Sequence, residues 1–139
     1  MQATKQHLAE FKHARLWYNE PYCALIVQAS SQYLPMAEFV ELFHKAEDYV
    51  RQYAVKKLIF DKTHMKVFHQ PSIIWYHVYW KVEMAGLGLK KHRIILPDDR
   101  LFKEAIHLVK KKIIAEYPQF HLEDYDIKYV ETLDQGLRE

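Results

Sequence analysis

Between residues 55 and 130 the chain alternates short apolar runs with long segments whose apolar residues return every three or four positions. That alternation is the pattern of parallel βαβ units, because strands covered on both faces need continuous apolar runs and crossover helices need one apolar stripe. Val55 to Asp61 holds the unbroken Leu58-Ile59-Phe60, and His92 to Leu96 and Tyr125 to Val130 supply two further strands. Pro35, Pro71 and Pro97-Asp98-Asp99 each open a helix, where a missing N–H is harmless and acids meet the positive end.

The first helix has the clearest pattern. Met36, Phe39, Val40, Leu42, Phe43, Ala46, Tyr49, Val50 and Tyr53 recur at helical spacing, opposite Glu38, Glu41, Lys45, Asp48, Arg51 and Gln52. The second helix reaches about Ala85 and is stopped by Gly86 and Gly88. The third carries Leu101, Phe102, Ala105, Ile106, Leu108, Val109, Ile113 and Ile114. Upstream, Ala14 to Tyr18 and Cys23 to Val27 flank Asn19-Glu20-Pro21-Tyr22 and read as a β-hairpin. Thr132 to Glu139 reads as a short closing helix weakened by Gly136. The expected fold class is α/β: a mixed, mostly parallel sheet of about five strands with an N-terminal hairpin and three to four helices. Residues 1–10 read as a tail and 11–139 as one domain.

Several chemistries lack their residues. A net charge of +2 is not the basic excess of a nucleic-acid binder, and Lys110-Lys111-Lys112 reads as a solvated helix edge. The single cysteine, Cys23, sits in an apolar run, is expected mid-strand, and allows no internal disulfide. No run approaches the roughly 20 apolar residues that span a membrane. With no signal-peptide pattern at the N-terminus, a cytoplasmic location is expected. None of the nine histidines forms a His-x-x-x-His pair, so no metal site is expected. Neither a nucleophile elbow nor a phosphate-cradling glycine loop occurs, so no cofactor and no enzyme are expected.

Pro35-x-x-Glu38-Phe39, Lys57-Leu58-Ile59-Phe60-Asp61, Pro71-Ser72, Trp75 to Trp80, and the glycine turn, strand and proline of Gly86 to Pro97 form a pattern. That pattern resembles the STAS domain, more narrowly the SpoIIAA-like, anti-sigma-factor-antagonist-like stand-alone proteins of bacteria. The resemblance covers roughly Phe11 to Leu133. It implies a non-enzymatic regulatory module acting through protein contacts. Through the related CRAL-TRIO fold it also implies an alternative, a binder of an apolar small molecule or lipid. In the antagonists the strand-end Asp is followed by a phosphorylated Ser. Here Lys62, Thr63, His64 and Met65 follow Asp61, so no phosphorylation switch is implied.

Two regions are candidate sites. Ligands of open α/β sheets bind beyond the carboxyl ends of strands. The loop after the Leu58 strand holds Asp61, Thr63, His64 and His69, and Ser72 begins the next helix, whose N–H groups suit an anion. The alternative is a polar connecting loop in which Asp61 caps backbone groups. The second helix carries two apolar stripes, Ile74/Val78/Val82/Ala85 and Ile73/Tyr76/Trp80/Met84, with His77 and Lys81 along one edge between them. One stripe suffices to cover a sheet. The second, Ile73, Tyr76, Trp80 and Met84, is expected at a homodimer or protein-partner interface or an apolar groove, unless it packs on neighbouring helices.

Overall fold

The computed structural model describes residues 5–139. Its elements in chain order are β1 (Gln6–Glu10), β2 (Ala14–Asn19), β3 (Ala24–Ala29), α1 (Met36–Tyr53), β4 (Lys57–Asp61), α2 (residues 70–85), β5 (Lys91–Ile95), α3 (Arg100–Glu116), β6 (Asp126–Tyr129) and α4 (Leu133–Arg138). The six strands form one sheet in sequence order. β1, β2 and β3 pair antiparallel, and β3 to β6 pair parallel. The expected mixed α/β fold is present with one more strand than the five expected. That strand comes from residues 6–10 of the expected tail, which pair with β2; residues 1–4 lie outside the described residues.

The parallel register sets two rows of side chains on opposite faces. Leu25, Leu58 and His92 stand side by side, and so do Ile26, Ile59 and Arg93. Leu25, Val27, Leu58 and Phe60 pack with the apolar faces of α1, α2 and α3 in the main core. Three helices on one face is what right-handed crossovers between consecutive neighbouring strands dictate. The other face carries a smaller core of Ala24, Ile26, Ile59, Ile95 and Val130, covered by Leu137 of α4. Gly136 sits close to this core: a Cβ there would meet side-chain carbons of both Ile59 and Val130 at 3.4 Å, an ordinary contact.

Cys23 departs from expectation. It ends the turn after β2 with a left-handed backbone (φ 49°) and intermediate exposure, so it is not mid-strand. Asn19, whose side-chain oxygen accepts from the Tyr22 N–H, closes the turn and leaves Cys23 to absorb the reversal.

Candidate functional site

The loop candidates are brought together in pairs and not as one cluster. Asp61 Oδ1 accepts from the Thr63 backbone N–H at 3.0 Å and from the Thr63 hydroxyl. His69 Nδ1 lies 3.0 Å from Ser72 Oγ, which also contacts Met36 Sδ. The Ser72 and Ile73 N–H groups donate to the His69 carbonyl. The Asp61–Thr63 and His69–Ser72 pairs are contacts within the segment between β4 and α2. His64 stands apart and lines a cleft of about 360 Å³ with Arg15, Gln28, Ser30, Ser31 and Gln32. Among the described residues no group of three or more His, Cys, Asp or Glu is placed to hold a metal ion.

The stripe expected at an interface or groove faces inward instead, as its alternative of packing on neighbouring helices has it. Ile73, Tyr76, Trp80 and Met84 are buried in the main core and are not a surface. Trp80 Nε1 donates to the Phe43 carbonyl at 2.9 Å, and the Tyr76 ring packs against Phe39, Phe43 and Phe60. Val82, from the other stripe, is exposed, as is Tyr79. Trp80 lines a cleft of about 280 Å³ between α1 and α2 with His44, Glu47, Trp75, Tyr79 and Glu83.

The cause lies in the middle of α2. Residues Tyr76–Trp80 form a π-helical turn between α-helical ends Gln70–Trp75 and Lys81–Ala85. A π turn holds more residues than an α turn and often marks a functional segment. Here it widens the inward face until His77, Val78 and Lys81 are buried together with Tyr76 and Trp80.

His77 and Lys81 therefore enter the interior, where other bases meet them. His92 of β5 is fully buried on the same face, and Lys62, just after β4, is almost so. Lys110 of α3 stands half-buried beside them, its ammonium 4.0 Å from the centre of the Tyr129 ring. The Tyr76 ring is the hub: Lys81 Nζ lies 5.0 Å from its centre, the His77 ring 5.4 Å and the His92 ring 6.5 Å. His77 Nδ1, Lys81 Nζ, both ring nitrogens of His92 and the Tyr76 hydroxyl have no hydrogen-bond partner among the described residues.

Electrostatics follow from that geometry. Burial first, then the neighbouring cations Lys62 and Lys110, hold Lys81 well below the ordinary lysine range. Burial, then Lys110, lowers Lys62 to about 8. Burial also drives His77 and His92 well below the ordinary imidazole value, with Lys81 the next cause for both. The Tyr76 hydroxyl is pushed upward by burial alone. The sequence pattern puts His77 and Lys81 on a helix edge, and His92 both in an apolar strand and, with Lys90, Lys91 and Arg93, in a basic spot before it. The available signal was the presence of bases inside segments otherwise rich in apolar residues.

On the opposite face buried cations are answered. Lys57 Nζ donates to the carbonyls of Gly136 at 3.0 Å and Leu137 at 2.7 Å, near the C-terminal end of α4, where a cation is favoured. Arg93 donates to the Asp126 carboxylate at 3.0 Å and to the carbonyls of Asp126, His92 and Glu139, leaving only its Nε without a partner.

A scan against protein-family models, a search of curated proteins and a search of solved structures each found no match. No helix among the described residues is long and apolar enough to cross a membrane.

Proposed function

We propose that this chain is a STAS-like, non-enzymatic interaction module of the bacterial cytoplasm that binds a protein partner, a second copy of itself included, through the outer faces of α2 and α3. The observation that supports it is the concentration of large exposed apolar side chains there. Tyr79 is 59% exposed, Leu101 75% and Leu108 64%, with Val82 also open. Exposed apolar side chains gathered on neighbouring helices are a common feature of docking surfaces, and an aromatic such as Tyr79 gives large contact area at little entropic cost. On α3, Leu101, Ala105 and Leu108 return at helical spacing on the side away from the buried Phe102, Ile106, Val109 and Ile113.

A second reading is a binder of an apolar small molecule. It is favoured by the cleft between α1 and α2, whose Trp75, Tyr79 and Trp80 form an aromatic wall. Native mass spectrometry across a dilution series separates the two. A dimer that Tyr79→Ser and Leu108→Ser dissociate supports the interaction module. A monomer carrying a co-purified apolar compound, lost with Trp75→Ala, supports the second reading. A monomer at every concentration, carrying nothing and capturing no partner through these helices, contradicts both.

A further inference from the structure

Four buried basic side chains and one half-buried one gather between α2, α3, the end of β4 and the start of β5. We infer that this cluster is a binding site for a small oxyanion of the phosphate class, held by Lys81, His77 and the Tyr76 hydroxyl and entered past Lys62 and Lys110.

The groups facing Lys81 come from every element packed around it. They are Tyr76 and His77 of its own helix, Lys62 after β4, His92 of β5 and Lys110 of α3. The charges acting on Lys62, Lys81 and His92 are all positive, and no carboxylate offsets them. An unpaired ammonium in such a place is strongly disfavoured if charged, and a neutral amine still leaves a buried polar atom unsatisfied. The Tyr76 ring face beneath Lys81 compensates a charge only in part. Methionine would fill much of the same volume without either cost. A bound oxyanion reverses the balance, because it gives each donor an acceptor and each cation a counter-charge.

Phosphate fits this set better than a carboxylate does. Three lysines and two histidines meet there, and a phosphate brings up to two charges and four acceptor oxygens where a carboxylate brings one and two. Lys62 directly follows the β4 end, its backbone N–H held by the Ile95 carbonyl at 2.8 Å. Lys110, half-buried, is the most exposed of the five basic residues.

The test uses the whole chain in phosphate-free buffer, titrated with inorganic phosphate against chloride at matched ionic strength. Thermal unfolding and phosphorus NMR are the readouts. The expected result is a saturable rise in melting temperature and a bound phosphorus signal with phosphate and not with chloride. Lys81→Met abolishes both and, without phosphate, melts no lower than the wild type. Lys110→Gln, at the solvent side, keeps the fold and weakens phosphate binding severalfold. A phosphomonoester that binds as well identifies an organic phosphate whose remainder projects past Lys110; binding of inorganic phosphate alone identifies an enclosed free ion. A wild type indifferent to phosphate, an equal response to chloride, or phosphate binding unchanged in Lys110→Gln overturns the inference.

Discussion

Lys57 and Arg93 on one face of the sheet, and Lys62, His77, Lys81 and His92 on the other, are similar side chains buried to similar depth. Their surroundings differ. The first pair reaches backbone carbonyls of α4 and β6 and one carboxylate, and is held as part of the architecture. The second set meets rings and other bases. Burial alone therefore does not separate a structural cation from a functional one; the partner does. On the α4 face a cation fastens a helix to the sheet. On the α2 face the protein carries a cost that its own folding does not explain, and such a cost points to a ligand.

Substitution at the two positions tests the contrast most strongly. Arg93→Met removes the donor for three carbonyls, and is expected to cost about 2–4 kcal/mol of stability in denaturant unfolding. Its ion pair with Asp126 adds little to that, because the carboxylate is 44% exposed. Lys81→Met, at equal burial, is expected to leave stability unchanged or raise it by about 1–3 kcal/mol in phosphate-free buffer. Equal losses at both positions would erase the distinction.

Acidity separates the faces by degree: burial, then Arg93 and Lys91, also lowers Lys57 on the α4 face, though less than Lys62 and Lys81 are lowered. Lys62 and Lys81 bind protons less readily folded than unfolded, so the unfolded chain holds more protons below the ordinary lysine value, and stability rises as pH rises toward it. Lys62 titrates near 8 when folded, and Tyr76 acts in the opposite sense above its ordinary value of 10.0, so the rise is expected between about pH 8 and 10. Each group adds up to about 1.4 kcal/mol per pH unit. The histidines give the same sign lower down: stability falls as pH drops below their ordinary 6.5. Saturating phosphate is expected to flatten the alkaline rise, because a bound anion returns the lysines toward their ordinary values. Chemical denaturation across this range, with and without phosphate, measures both effects.

Smaller effects test the rest of the frame. Tyr79→Ser and Leu108→Ser are expected to change stability by no more than about 0.5 kcal/mol, since both side chains are exposed, while reducing partner or self-association. Ala54→Gly, at the left-handed residue ending α1 (φ 49°), is expected to stabilise by about 0.5–1 kcal/mol, seen as a modest rise in melting temperature.

Much of the fold was legible because it rests on local patterns. Pro35 and Asp99 do mark the starts of α1 and α3, with Asp99 Oδ1 accepting from the Leu101 and Phe102 N–H groups. The parallel run of β3 to β6 follows from strand and helix alternation. β1 was missed because Gln6–Glu10 is an exposed edge strand with little apolar alternation to reveal it. The site was less legible. Both stripes of α2 are apolar, so periodicity alone does not say which faces the sheet, and it carries no sign of the π turn that brings His77 and Lys81 inward. The polar loop of Asp61, Thr63, His64, His69 and Ser72 attracted the ligand reading by residue type, yet most of its side-chain contacts are internal. The bases that lack partners sit in segments whose overall character is hydrophobic.

Lysine Nζ NMR across pH in phosphate-free buffer tests the central claim most directly. The account predicts two lysine amines titrating well below the ordinary 10.5, one of them absent from the Lys81→Met spectrum, and both moving back upward when phosphate is added. If every lysine titrates at its ordinary value and phosphate moves none of them, the cluster is neither desolvated nor a site, and the account is wrong.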